Sequence, residues 1–211
     1  MKETRKYKLT GVSDLLGSSP GDKEVFKNFI VDKAKTPEER AAADLDTEFV
    51  LDQEEKKRTY FYRDHKTGEL ILRPYQIKGF LKEAINTLKA DLKVLSAKSK
   101  VDEYVFVRGK TIKITRDGKS LTQPDYLLER PLRAMTMQGP RVALASSEAV
   151  SAEEGWELEV EISLINNAGT AKSNPVTWEV IEAALDYGAL KGLLQWRNGG
   201  YGSFEWELVE D

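Results

Sequence analysis

The chain has 211 residues, of which 40% are hydrophobic and 32% charged, and it contains no cysteine. This composition predicts a globular protein long enough to bury a core, and it excludes disulfides, thiolate chemistry and cysteine-based zinc sites. No window is apolar enough to span a membrane, and the first residues lack an apolar signal region. We therefore expect a cytoplasmic protein with no membrane partner.

The net charge of −3 is unevenly distributed along the chain. Residues 1–52 carry 9 Lys and Arg against 11 Asp and Glu, residues 53–145 carry 20 against 11, and residues 146–211 carry 3 against 13. A basic middle and an acidic end indicate a polyanion-binding face or head-to-tail association between identical subunits. An alternative is that these charges mix on the folded surface.

The hydrophobic pattern predicts alternating strands and helices. Strands are predicted at 7–12, 58–63, 69–72, 104–107, 111–115, 156–164 and 201–209, with 104–107 and 111–115 forming a hairpin. Helices are predicted at 25–31, from Thr36 onward, from Pro74 to about residue 88 and at 175–185. Residues 13–22 form a loop, and residues 117–150 are expected to be irregular because of their prolines and glycine.

The order of the best-formed elements is typical of an α+β, ferredoxin-like (RRM-like) fold. Its β-α-β-β-α-β core has an antiparallel sheet with helices on one face. We expect one domain over residues 1–211, with insertions at about 13–57 and 117–150.

The end of the chain carries the most informative motif. Trp196, Arg197, Asn198 and Tyr201 lie in a turn with glycines at 199, 200 and 202. Glycine allows positive φ and close approach of a phosphate, while arginine and aromatic side chains bind a nucleic-acid strand by charge and stacking. The alternative is a tight helix-to-strand connection whose aromatic residues belong to the core.

A second motif lies at residues 73–84, where Lys78, Gly79 and Lys82 follow the proline that begins a helix. Lysine at a helix start adds positive charge where the backbone amides and the dipole already favour an anion, and Gly79 allows a strand to approach. An exposed lysine beside a packing glycine is the alternative.

Together the two motifs resemble the RAMP superfamily, which comprises ferredoxin-like backbone subunits and crRNA-processing nucleases of CRISPR systems. In that family a proline-led segment ends in Lys-Gly at the first helix, and a glycine-rich loop precedes the last strand. The resemblance implies an RNA-contacting scaffold subunit, or a stand-alone relative from a phage or other mobile element. The family loop usually carries more basic residues than the single Arg197 found here, so the basic middle of the chain is a second candidate for RNA contact.

A third segment, residues 129–141, contains Arg130, Arg133 and Arg141 with Met135 and Met137. Such an arm can place arginines on phosphates and a methionine between bases. The RAMP resemblance offers the analogy of an inserted, thumb-like hairpin with that role. The alternative is a strand or loop that buries its methionines.

Evidence for catalysis is weak. His65 is the only histidine and lies in a polar turn, where a surface residue is more common than a general base. Asp14, Asp22 and Asp44 have suitable oxygens for magnesium, but acidic loop residues are usually only solvated. No nucleotide-binding, serine-hydrolase or zinc-protease motif is present, so we expect no metal and no cofactor.

The sequence therefore predicts a non-catalytic, RNA-binding, complex-forming protein. Its partners would be single-stranded RNA, or single-stranded DNA, together with copies of itself or a CRISPR-type complex. One alternative is a protein-interaction module or phage inhibitor that uses the acidic strand carrying Glu157, Glu159 and Glu161 to mimic nucleic acid. The other is a metal-independent crRNA-processing endoribonuclease.

Overall fold

A computed structural model describes residues 2–22, 40, 58–136 and 139–209, with the backbone alone for 132–136, 140, 141 and 143. The α-helices in these residues are α1 (Pro74–Thr87), α2 (Ala97–Tyr104) and α3 (Trp178–Lys191), and a single 3₁₀ turn spans Arg197–Gly199. The strands are β1 (Lys2–Gly11), β2 (Leu15–Leu16), β3 (Ser19–Pro20), β4 (Arg58–Tyr60), β5 (Tyr62–Arg63), β6 (Leu70–Leu72), β7 (Val105–Val107), β8 (Ile112–Arg116), β9 (Lys119–Ser120), β10 (Tyr126–Thr136), β11 (Gly139–Val150), β12 (Glu157–Ile165) and β13 (Phe204–Val209). No helix in the described ranges is both long and apolar enough to cross a membrane. The helices predicted at 25–31 and from Thr36 lie outside the described residues, apart from Arg40.

The main sheet has the ferredoxin-like strand order. β1 lies between β13 and β12, and both β7 and β8 pair with the other edge of β12. All of these neighbours are antiparallel. With α1 between β1 and β7, and α3 between β12 and β13, the chain follows the predicted β-α-β-β-α-β order. β6 and β5 extend the sheet beyond β8.

Alternation of apolar and charged residues determines which face of the sheet is buried. On β12, Leu158 and Val160 are buried, whereas Glu159 and Glu161 are exposed. Lys6 of β1 stands opposite Glu161 in the register. The apolar sides of α1 and α3 cover the buried face, because their core residues recur at spacings of three and four.

The helix layer packs closely on the last strand. A Cβ atom at Gly188 of α3 would lie 2.1 Å from the Phe204 ring of β13, so only glycine fits this contact. Phe204 in turn meets Phe80 of α1 edge to face, with ring centroids 5.7 Å apart. The two helices and the last strand thus form one packed unit.

The predicted hairpin over 104–115 is wrong. β7 and β8 run in the same direction along β12, because Val107 pairs with Ile162 and Ile114 pairs with Leu158. More residues lie between Val107 and Ile114 than between their partners on β12, so the chain bulges between β7 and β8. The hydrophobic pattern did not indicate α2, because this helix is short and mostly polar.

The expectation that residues 117–150 are irregular is also wrong. β10 and β11 form a long antiparallel hairpin, from Tyr126 opposite Ala149 to Thr136 opposite Gly139. Pro131 is tolerated because β10 is the edge strand of its sheet, where a residue without an N–H group interrupts no hydrogen bonds between interior strands.

The hairpin belongs to a second sheet with the order β10-β11-β4-β3. β11 pairs in parallel with β4, through Ser146 opposite Arg58 and Ser147 opposite Thr59. β2 pairs with the last residues of β11. Strands from both predicted insertions therefore come together in this sheet, whereas β9 pairs with β8 of the main sheet.

Two charged contacts fix the base of the hairpin. The guanidinium of Arg116 donates to both carboxylate oxygens of Asp125, at 3.1 and 2.6 Å, and to the carbonyl oxygen of Gly155 at 2.8 Å. The amide of Ser151 donates to Asp125 at 2.8 Å. On the other strand, buried Glu148 accepts hydrogen bonds from Arg63 and from the Phe61 amide. These bonds hold both the entry and the exit of the hairpin.

Candidate nucleic-acid interface

The glycine loop, defined here as residues 192–202, is closed at its base by contact between its two ends. Gly192 ends α3 with φ +75°, and the Leu193 amide donates to the carbonyl of Gly202 at 2.8 Å. A Cβ atom at Gly192 would lie 2.3 Å from the Tyr201 carbonyl oxygen, and one at Gly202 would lie 2.3 Å from that of Leu193. Glycine is required at both positions, by φ and by space.

Within the loop, two bulky residues adopt left-handed backbone conformations. Leu194 has φ +58° and Trp196 has φ +51°, values that cost free energy in residues with a Cβ atom. Gly200 has φ +87°, but a Cβ atom there would meet nothing within 4 Å. Gly200 is therefore required by conformation and not by space.

Trp196 is the centre of an aromatic and cationic stack. Its ring lies parallel to that of Tyr201, with centroids 5.0 Å apart and an interplanar angle of 14°. The guanidinium carbon of Arg130 on β10 lies 4.3 Å from the Trp196 ring centroid. Gly199 also packs against the indole, since a Cβ atom there would lie 2.7 Å from it. Trp196 nevertheless remains 39% exposed.

Hydrogen bonds attach the loop to the second sheet. The side-chain oxygen of Gln195 accepts from the hydroxyl of Thr59 on β4 at 2.6 Å and from that of Ser147 on β11 at 3.3 Å. Because Arg130 is on β10, three strands of this sheet contact the loop. No sequence pattern indicated Gln195, Thr59 or Ser147 as positioning residues.

An open cavity of about 520 Å³ lies beside the stack. Gly199, Gly200 and Tyr201 line one side of it, and Asp14 and Glu153 contribute acidic groups. The carboxylate of Asp14 accepts hydrogen bonds from the Tyr126 hydroxyl and the Ala152 amide. Burial, followed by this bond to Asp14, raises the pKa of Tyr126 well above its usual range, so the phenol stays neutral.

The remaining polar residues of the loop face other elements. Arg197 forms an ion pair with Glu83 of α1 at 2.8 Å, and Asn198 accepts a hydrogen bond from Lys191 at 2.6 Å. The structure therefore gathers Arg130, Trp196, Gly199, Gly200 and Tyr201, whereas Arg197 and Asn198 are engaged with neighbouring helices.

The Lys-Gly motif does not join this cluster by any described contact. Lys78 is the fifth residue of α1, one position beyond the first four residues, whose backbone amides lack partners within the helix. Its ammonium donates to the Asp102 carbonyl at 3.1 Å, and Lys82 pairs with the Asp102 carboxylate at 2.8 Å. Gly79 is exposed, and a Cβ atom there would meet nothing within 4 Å. Both lysines thus link α1 to α2.

The other two arginines of the third segment lie farther along the hairpin. Arg133 stands opposite Val142, and Arg141 stands opposite Ala134. Met135 stands opposite Pro140, while Met137 lies outside the described residues.

The single histidine lies in an ordinary surface turn. His65 is exposed in a turn where the Asp64 carboxylate accepts the amides of Lys66 at 2.9 Å and Thr67 at 3.2 Å. These bonds, led by that of Lys66, lower the pKa of Asp64.

The described residues contain no group of three or more acidic or histidine side chains placed to hold a metal ion. Asp14, one of the predicted magnesium ligands, is bonded as described above, and Asp44 lies outside the described residues.

The acidic strand behaves as a solvated sheet face. Lys6 pairs with Glu159 at 3.2 Å, and Lys8 pairs with Glu157 at 2.7 Å. Bonding to Glu157 raises the pKa of Lys8. Because neighbouring lysines balance two of the three glutamates, this geometry weakens the interpretation as a nucleic-acid mimic.

Comparison with known proteins finds similarity in structure but none in sequence. No protein-family model matches the chain, and no curated protein matches it. Among solved structures, the chain is similar to one in "Cryo-EM structure of the Type III-B Cmr-beta bound to cognate target RNA", with a TM-score of 0.46 and 10% sequence identity. The similarity covers 99% of this chain and 61% of the other, so this chain spans about three-fifths of its neighbour's length.

Proposed function

We propose that this protein binds single-stranded RNA at the surface formed by the glycine loop and the base of the β10–β11 hairpin. The observation that carries the proposal is the stack of Arg130, Trp196 and Tyr201. It joins an arginine of the basic middle region to the aromatic residues of the glycine loop. Aromatic and guanidinium planes of this kind stack on bases, and arginines neutralise phosphates.

The role that fits best is that of a non-catalytic, RAMP-like scaffold subunit of a CRISPR-type assembly, built as one domain with two insertions. The sequence motifs support this role, and the fold is the ferredoxin-like fold that those motifs imply. The glycine loop and the hairpin provide an extended surface, whereas His65 lies in an exposed turn.

The test is fluorescence anisotropy with a labelled 15-nucleotide RNA and a DNA of the same sequence at several salt concentrations. We expect RNA binding whose log K falls with log salt by about 0.7 for each phosphate neutralised. Tyr201→Leu should weaken binding about tenfold, within the range for loss of one stacked base. The matched control is Tyr104→Leu, which changes a half-buried tyrosine at the end of α2.

Binding that is absent at low salt, or that does not respond to salt, would contradict the proposal. Equal weakening by both tyrosine variants would show that the effect arises from stability and not from the stack. Preference for DNA over RNA would assign the site to single-stranded DNA.

Complex formation is supported by a different feature of the hairpin. Val142 and Leu144 of β11 are 71% and 68% exposed, although they are apolar and lie on a strand. Exposed apolar residues on a projecting element are typical of protein–protein contacts. Val142→Ser combined with Leu144→Ser should therefore shift any self-associated form to a smaller size in size-exclusion chromatography. If the protein is already monomeric, these residues do not mediate self-association.

A further inference from the structure

Arg130 has an unusual environment for an arginine. Its side chain is buried, with the residue 6% exposed, and no described residue accepts a hydrogen bond from its Nε or Nη1 atom. Desolvation lowers the pKa of this guanidinium, against a weaker opposing effect of Tyr201. Burying donors of a charged group without acceptors costs stability, so the burial of Nε and Nη1 is energetically unfavourable by itself.

The guanidinium of Arg130 lies over the indole of Trp196, with its carbon 4.3 Å from the ring centroid. Trp196 in turn stacks on Tyr201 and packs against Gly199. A guanidinium is flat and stacks on aromatic rings much as a nucleobase does. The position over the indole that Arg130 occupies is thus one that a base can also occupy.

We propose that Arg130 is a placeholder that an RNA base displaces: the base takes its position on Trp196, and the released guanidinium pairs with a phosphate of the same strand. This inference rests on the RNA-binding function proposed above. Solvent does not reach Nε or Nη1, so these atoms gain an acceptor only if the side chain moves. The exchange replaces unpaired donors by charge-assisted hydrogen bonds while the indole keeps a stacking partner.

The exchange predicts opposite effects of one substitution on stability and on binding. Arg130→Met keeps a flexible apolar chain on the indole but removes the buried donors. We expect its melting temperature to rise by a few degrees and its RNA affinity to fall about tenfold. The slope of log K against log salt concentration should become shallower by about 0.7, because one phosphate contact is lost. Arg108→Met, which removes an exposed arginine, is the control, with an unchanged melting temperature and affinity within about twofold of the parent.

The movement itself can be followed by NMR of the arginine Nε–H groups in the full chain. The Arg130 resonance is assigned by its loss in Arg130→Met, and it should carry a ring-current shift from Trp196 in the free protein. Addition of a 15-nucleotide oligouridylate should remove that shift.

The outcomes separate the two proposals. If the parent protein does not bind the oligouridylate, the RNA-binding function fails and the exchange fails with it. If the parent binds but the Arg130 resonance keeps its shift, or Arg130→Met binds with unchanged affinity and salt slope, the exchange alone is refuted. A lower melting temperature for Arg130→Met would make Arg130 a packing residue and would also refute it.

Discussion

Glu148 connects β11 of the hairpin to Phe61 and to Arg63 of β5, and its removal should destabilise the protein strongly. The residue is 5% exposed. Its carboxylate accepts from Nη2 of Arg63 at 2.7 Å and from the buried amide of Phe61 at 2.8 Å. Glu148→Ala removes this acceptor from both groups at once.

The magnitude follows from these two losses. A buried amide deprived of its acceptor costs about 1–3 kcal/mol, and breaking a buried ion pair costs about 3–5 kcal/mol. Arg63 is partly exposed, so water offsets part of the second loss. We expect a decrease of about 3 kcal/mol in the free energy of unfolding for Glu148→Ala. About half of that is expected for Glu148→Gln, which keeps an oxygen for the Phe61 amide.

Urea unfolding followed by circular dichroism measures this change as a shift in the midpoint at constant slope. The control is Glu159→Ala, because the Glu159 side chain is 61% exposed in its pair with Lys6 and should contribute less than about 0.5 kcal/mol. A Glu148→Ala protein within about 1 kcal/mol of the parent would refute the reasoning, since the carboxylate would then not support the hairpin.

Three further predictions concern the loop, the hairpin base and the turn. Gly200→Val should lower the free energy of unfolding, measured by urea titration, by about 1–3 kcal/mol through backbone strain. Gly192→Ala should lower it further, because backbone atoms occupy the position of its Cβ atom. Equal losses for the two variants would contradict this geometry. Burial opposes ionisation of Asp125, but its bonds from Arg116 and the Ser151 amide outweigh burial and lower its pKa. The stabilising effect of the Asp125 carboxylate should therefore be complete above the unfolded-state pKa of about 3.9, and it should be lost as pH falls through the lower folded-state pKa. Asp125→Asn should remove this part of the pH dependence of the melting temperature. His65→Ala should change neither RNA binding nor any cleavage of labelled RNA, measured with and without magnesium. Loss of metal-free cleavage while binding stays intact would support the nuclease alternative.

The main sheet was predictable because its signals are local. Alternation along β12 marks a strand with one solvated face, and the apolar spacing of α1 marks a helix that covers a sheet. These elements and their order were enough to predict the ferredoxin-like fold. The strand ends differ from the predicted bounds by a few residues, as local patterns define ends poorly.

The second sheet was not predictable from local patterns. Its hairpin contains Pro131 and Pro140, which indicated irregular structure, and it is stabilised by pairing with β4, distant in sequence. The candidate site has the same origin. The aromatic residues of the glycine loop were visible in the sequence, but the contact between Arg130 and Trp196 depends on how the hairpin folds back. Lys78 and Lys82 had the residue types of an anion site, yet their partner Asp102 is on a helix that the pattern did not reveal.

The position of β1 in the main sheet has a consequence for how the chain acquires its structure. Both neighbours of β1, strands β12 and β13, come from the last third of the sequence. During synthesis β1 therefore remains unpaired until the last third of the sequence is made. Its apolar residues Tyr7 and Leu9 can form non-native contacts during that time. Such long-range pairing slows folding. A chain that stops before Phe204 would leave one edge of β1 unpaired, so we expect truncated forms to aggregate.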